Sequence, residues 1–120
     1  MNINTTAKDF EMSAAINQFT RDEVRSALQH FSENIHAIDV FMSDTNGPKG
    51  GIDKQALIRV HLRGGEVIAL QTVHENMYAA IKMGTKRARR TVRRSMRKSR
   101  RVGKLRMRDL LNDTGIQTVT

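Results

Sequence analysis

Residues 56–73 read ALIRVHLRGGEVIALQTV, and this stretch decides the fold class. Apolar residues recur at every second position on both sides of Gly64-Gly65, a dipeptide that suits a two-residue hairpin turn. Residues 56–63 therefore predict a strand with one face exposed to water. Residues 66–73 predict the antiparallel strand that returns beside it.

Toward the N-terminus, the sequence predicts two more strands and a helix. Residues 35–43 alternate with period two and precede the segment DTNGPKGG, whose glycines and single proline indicate a surface loop. Residues 1–8 alternate in the same way and favour another strand. Between these two strands, Ser13 is suited to cap a helix whose apolar residues recur at helical spacing until about Asn34.

The last helix is predicted to begin at the capping residue Asn76 and to run to about Arg101, with Gly103 as its stop. The element order is then β-α-β-β-β-α. This order predicts an α+β fold with one four-stranded sheet and two helices packed on one of its faces. We expect residues 1–101 to form one domain and residues 102–120 to form a short, mobile C-terminal tail.

Positive charge is concentrated in this last helix. The chain has 21 Lys and Arg against 12 Asp and Glu, yet residues 82–101, KMGTKRARRTVRRSMRKSRR, hold 11 basic residues and no acidic one. A solvated helix normally mixes the two signs, because like charges one turn apart repel each other. The run therefore indicates a polyanionic partner, and its eight arginines against three lysines favour phosphate groups.

The same helix divides its residues between two faces. Small or apolar residues step along one side at helical spacing: Met77, Ile81, Gly84, Ala88, Val92 and Met96. The other side carries a set that we call the basic ridge: Lys86, Arg87, Arg89, Arg90, Arg93, Arg94, Arg97, Arg100 and Arg101. One face is thus expected to seal the core, while the basic ridge contacts nucleic acid through phosphates and shape.

No catalytic or metal site is indicated by the sequence. The four histidines lack metal-binding spacing and the chain has no cysteine, so we expect neither a metal nor a cofactor. No apolar run approaches the ~20 residues of a membrane span. A helix lying on an anionic membrane would carry Trp, Phe or Leu on its apolar face. We therefore expect a cytoplasmic protein that is not an enzyme, with no membrane and no small-molecule substrate as partner.

Residues 76–81, NMYAAI, follow a predicted strand and begin at a helix cap. In that context the segment resembles the bacterial ribosome hibernation-promoting factor family, which includes ribosome-associated inhibitor A. The resemblance runs through about residues 1–100 and includes Ala15-Ile16, Phe19 and His30-Phe31. It implies a β-α-β-β-β-α domain that binds the decoding region of the small ribosomal subunit. There it would block mRNA and tRNA and silence ribosomes during stress.

The resemblance also implies which residues bind RNA. Basic positions of the family's last helix fall on Arg87, Arg90 and Arg94, which spacing alone places on one face. Charge pattern and resemblance together give the expected RNA-binding residues as Lys86, Arg87, Arg89, Arg90, Arg93, Arg94, Arg97, Arg101 and Arg25. The expected partner is rRNA of the small ribosomal subunit. The alternative left open is a general nucleic-acid-binding or architectural protein that shares the fold.

The chain departs from the family's pattern at several positions. Glu23 and Ser26 stand where members often carry lysines, and Gly84 and Ala88 stand where members carry leucines that face the sheet. Long members add a C-terminal dimerisation domain, which the 17 residues after Gly103 would not supply. We therefore expect no dimerisation domain in this chain.

Overall fold

The computed structural model describes residues 1–44 and 53–114, without the side chains of Ser99 and of residues 101–114. Its elements in chain order are β1 (Asn2–Lys8), α1 (Ala14–Leu28), a 3₁₀ helix (Gln29–Asn34), β2 (Ile35–Asp44), β3 (Lys54–Leu62), β4 (Val67–His74) and α2 (Met77–Thr114). This order confirms the predicted α+β class and the β-α-β-β-β-α arrangement. The sheet and both helices therefore follow from the periodicity of the chain.

The four strands form one sheet in the order β1-β2-β3-β4. Strand β1 pairs with β2 in parallel, because α1 carries the chain back across the sheet before β2 begins. The other two pairs are antiparallel, and the hairpin between β3 and β4 turns at the predicted Gly64-Gly65. Register aligns Ile38 with Val60 and Val60 with Ile68, so that apolar side chains meet across the strands on the helix-facing side.

The core lies between this face of the sheet and the two helices. Residues predicted to point inward from β2 and β3 are all buried: Ile38, Val40, Met42, Ala56, Ile58, Val60 and Leu62. The apolar side of α2 meets them, with Met77, Ile81, Gly84, Ala88 and Val92 buried and Met96 partly buried. The predicted inward face of the last helix is thus confirmed.

Helix α1 begins as predicted but ends earlier than predicted. The Ser13 hydroxyl accepts a hydrogen bond from the Ile16 amide at 3.1 Å, which confirms the N-cap. The α-helix then ends at Leu28, and the 3₁₀ helix replaces the predicted last turns up to Asn34. Phe31 leaves helical geometry there, with φ −105° and ψ 15°, and its side chain belongs to the buried core.

Helix α2 starts at the predicted cap, where the Asn76 side chain accepts a hydrogen bond from the Tyr78 amide at 2.8 Å. The predicted stop at Gly103 is wrong, because the helix continues through that residue to Thr114. A single glycine inside a helix costs only about 1 kcal/mol relative to alanine, and residues 104–108 after it are strong helix formers. At ~1.5 Å per residue α2 is roughly 57 Å long.

Two predictions fall wholly or partly outside the described residues. The loop predicted from DTNGPKGG occupies residues 45–52, and on its two sides Lys54 Nζ lies 3.1 Å from both Asp44 Oδ1 and Asp53 Oδ2. The predicted boundary between residues 101 and 102 lies inside α2. The mobility of the tail, whose residues 115–120 are not described, stays a prediction.

Candidate nucleic-acid interface

Close packing fixes how α2 lies on the sheet. On the inward side, Thr72 of β4 donates a hydrogen bond from its hydroxyl to the Ala80 carbonyl at 2.7 Å. Gly84 is buried against Ile58 and Thr72, so the helix backbone approaches β3 and β4 directly. Helix α1 packs beside α2 on the same face of the sheet. The remaining side of α2 faces solvent, and it is the side that bears the charge.

The structure places the basic ridge along this solvent-facing side of α2. Eight of its nine side chains are described, and all eight are exposed: Lys86, Arg87, Arg89, Arg90, Arg93, Arg94, Arg97 and Arg100. The side chain of Arg101 lies outside the described residues. Seven of the RNA-binding residues expected on α2 are therefore collected on one accessible helix surface, and their role in binding RNA remains a prediction.

The charge of the basic ridge is not neutralised within the part of the chain that the structure describes. Ion pairs there join Arg25 to Asp22, Lys54 to Asp44 and Asp53, and His61 to Asp39. The Glu66 carboxylate is close to α2, where it accepts a hydrogen bond from Ser95 at 2.8 Å. No carboxylate is paired with a described side chain of the basic ridge, which leaves that surface strongly cationic.

The arginines of α1 occupy two different environments. Arg25, the expected RNA-binding residue outside α2, is exposed and lies 3.8 Å from Asp22 Oδ1, an exposed pair of little energetic weight. Arg21 donates hydrogen bonds to the Ile3 carbonyl at 2.8 Å and to Asn17 Oδ1 at 3.2 Å. Arg21 therefore ties α1 to the edge strand β1, whereas Arg25 keeps its guanidinium in solvent.

A groove that the sequence did not reveal runs between α2 and the 3₁₀ helix. Its volume is about 340 Å³. We call it the arginine groove and define it by its lining residues His30, Phe31, Arg89, Arg93, Met96, Arg97 and Arg100. Sequence spacing placed the arginines on one helix, but nothing in the spacing brought His30 beside them. That juxtaposition depends on how the 3₁₀ helix lies against α2.

The open face of the sheet carries a separate polar cluster. Asp39 accepts a hydrogen bond from Asn4 at 3.1 Å and lies 2.8 Å from His61 Nε2. The hydrogen bond from Asn4 lowers the pKa of Asp39, partial burial opposes it, and contact with His61 and the charge of Arg59 add to the lowering. Arg59 also stacks over Phe41 at 5.5 Å. These contacts pin the outer side chains of β1, β2 and β3.

Two searches of the described residues bear on other kinds of site. No cluster of three or more His, Asp or Glu side chains there could hold a metal ion. Neither helix, over the same residues, combines the length and apolarity that a membrane crossing needs. The geometry of these residues thus offers charge and shape, concentrated on α2.

Comparison with known proteins gives one family and two similar structures. The family model described as sigma 54 modulation protein / S30EA ribosomal protein matches residues 3–100. A ribosomal subunit interface protein from Coxiella burnetii is 18% identical with a TM-score of 0.69, covering 80% of this chain and 98% of that one. The Thermus thermophilus Protein Y N-terminal domain is 22% identical with a TM-score of 0.66, covering 78% and 98%. At these identities the two structures share the fold. No curated protein sequence matches significantly.

Proposed function

The chain belongs to the sigma 54 modulation protein / S30EA ribosomal protein family, and we propose on this basis that it is a ribosome-associated translation inhibitor. Membership confirms the family resemblance carried by residues 76–81. We propose that the protein works in the cytoplasm, where it binds rRNA of the small ribosomal subunit near the decoding region. By occupying that region it would block mRNA and tRNA and hold ribosomes inactive during stress.

The observation that carries this proposal is the unneutralised basic ridge on a single rigid helix. Eight exposed cationic side chains follow one side of α2 over residues 86–100, and no carboxylate of the described residues pairs with them. Such a surface neutralises RNA phosphates and releases their counterions. Because α2 is held by the sheet, little conformational entropy is lost when the arginines bind.

The proposed inhibition acts by occupancy and involves no chemical step. The charged groups on the solvent side of α2 are Lys and Arg, which bind phosphate but do not there form a nucleophile with an adjacent base. A long cationic helix backed by a sheet fits a cleft lined by rRNA phosphates. Occupied in this way, the cleft would be closed to mRNA and to the tRNA that reads it.

Cosedimentation with isolated small ribosomal subunits tests the proposal. We expect stoichiometric binding that persists when duplex RNA or duplex DNA is added as competitor, because the subunit offers a shaped site as well as phosphates. Equal competition by duplex RNA and by DNA would contradict the proposal and would favour the general nucleic-acid-binding alternative. Large ribosomal subunits serve as the matched control, since they present rRNA phosphates without the decoding region.

A further inference from the structure

Four of the cationic side chains of α2 do more than face solvent. Arg89, Arg93, Arg97 and Arg100 follow each other at steps of four, four and three residues, so they lie on one flank of the helix. This flank forms one wall of the arginine groove. Arg90 and Arg94, at the same spacing on the other flank, do not line it. The basic ridge therefore has two flanks that differ in shape although they carry the same charge.

The opposite wall of the arginine groove is an aromatic side chain with a fixed orientation. His30 is exposed, and its imidazole lies edge-to-face against the ring of Phe31, with 5.1 Å between the centroids and 85° between the planes. Phe31 is itself only 7% exposed and belongs to the core. A buried neighbour thus holds an exposed flat ring at the rim of a cationic groove, which is the arrangement that stacks on a nucleic-acid base.

Charge and size restrict what the arginine groove can hold. Its lining, all within the described part of the chain, includes four guanidinium groups and no carboxylate, so an anion is required to balance it. Its volume of about 340 Å³ is close to the lower end of the roughly 300–1,000 Å³ typical of small-ligand sites. A base-paired helix is too wide for such a space, whereas one nucleotide with its phosphate is of the right size.

We propose that the arginine groove holds a single unpaired nucleotide of the bound RNA. The arginines on its flank bind the phosphates on either side of that nucleotide, and the base stacks on the imidazole of His30. The other flank, with Arg90 and Arg94, follows the backbone of neighbouring paired RNA. This inference rests on the proposed RNA binding and gives the interface a preference for RNA with an extruded base.

The experiment compares two RNA hairpins that differ only by a one-nucleotide bulge, with binding followed by fluorescence anisotropy. We expect the wild-type protein to bind the bulged hairpin about tenfold more tightly, as one base–aromatic stack provides. Arg93→Gln/Arg97→Gln removes two charges from the groove flank, and Arg90→Gln/Arg94→Gln removes two from the other flank at the same spacing. The first pair should abolish the preference. The second should weaken both hairpins and leave the preference intact.

Single substitutions separate stacking from charge. His30→Ala should remove most of the tenfold preference without changing affinity for the paired hairpin, because the lost contact is to the extruded base. His36→Ala is the matched control, since His36 is an exposed histidine on β2 that does not line the arginine groove. Equal effects of the two histidine substitutions, or equal loss of preference in both arginine pairs, would overturn the inference.

Two further arms identify the source of the nucleotide and keep this test apart from the proposed function. Free adenosine monophosphate should not displace the bulged hairpin at micromolar concentration; displacement would assign the groove to a free nucleotide and overturn the inference. Cosedimentation with small ribosomal subunits is measured on the same variants. Subunit binding with no preference for bulged RNA would sink the inference alone. A bulge preference without subunit binding would contradict the proposed function and support the groove.

Discussion

Gly84 of α2 and Ile58 of β3 approach so closely that a side chain does not fit between them. A Cβ atom added at Gly84 would lie 2.8 Å from Ile58 Cδ1 and 3.2 Å from Thr72 Oγ1. This approach sets how deeply α2 lies on the sheet, and so how far the basic ridge stands out from it. It also explains why glycine occupies a position where the resembling family carries leucine: here the helix backbone, not a side chain, packs on the sheet.

Replacing Gly84 by leucine should destabilise the fold by roughly 1–3 kcal/mol through overpacking. The loss should appear although leucine favours a helix by about 0.8–1 kcal/mol over glycine. Urea unfolding measures the change. Gly64→Leu is the matched control, because a Cβ at Gly64 has no atom within 4 Å and its side chain would extend into solvent. Equal midpoints for Gly84→Leu and wild type would show that α2 does not lie as deep as described.

The two sides of α2 should respond oppositely to truncation. Ile81→Ala removes a fully buried side chain and should cost about 2–5 kcal/mol of unfolding free energy. Arg90→Ala removes an exposed cation from a row of like charges and should change stability little or raise it slightly. Thermal or urea unfolding of both variants provides the measurement. Similar destabilisation by the two substitutions would contradict the orientation of α2.

Acid stability should depend on the cluster around Asp39. Its pKa lies below the ordinary 3.8 in the folded protein, so the unfolded chain binds a proton more readily than the folded one. The stabilisation is therefore complete above the unfolded-state pKa and is lost as pH falls through the folded-state pKa. Asp39→Asn should make unfolding free energy fall less steeply between about pH 6 and pH 2. Asn4→Ala should reduce the slope partially, and an unchanged slope in both variants would contradict this role.

Much of the fold could be predicted from local patterns, because each pattern reports a side chain's environment. Alternation in residues 35–43 and 56–73 gave the strands, and the spacing of the apolar residues of α2 gave its buried face. The stop at Gly103 was wrong because a glycine ends a helix only where the chain takes up a left-handed turn, and its propensity cost alone is small. The turn before Asn34 likewise depends on where Phe31 is buried.

The candidate site divides in the same way. Helical periodicity alone placed the basic ridge on one face, since all its members belong to a single element. The arginine groove required the position of His30 relative to Arg93, and that relation joins residues more than sixty positions apart. The contact between Asp39 and His61 depends on pairing of β2 with β3 in the same way. Sequence patterns within one element carry no such distances.

RNA binding through the basic ridge should depend steeply on salt. If six phosphates are neutralised, affinity for small-subunit rRNA should fall on the order of 1,000-fold between 50 and 200 mM salt. Changing Arg87, Arg90 and Arg94 together to Glu should abolish binding while circular dichroism and the unfolding midpoint stay close to wild type, because all three side chains are exposed. An affinity indifferent to salt would exclude the basic ridge as the contact surface.

The central claim is that the basic ridge stops translation by occupying the path of mRNA and tRNA. Its most direct test is protein synthesis in a purified bacterial translation system to which the protein is added in amounts stoichiometric with ribosomes. We predict inhibition that is weakened when mRNA and initiator tRNA are bound first, and that is absent in the variant carrying Glu at positions 87, 90 and 94. Tight ribosome binding with tRNA binding and protein synthesis unchanged would contradict the claim and would place the protein at a peripheral rRNA site.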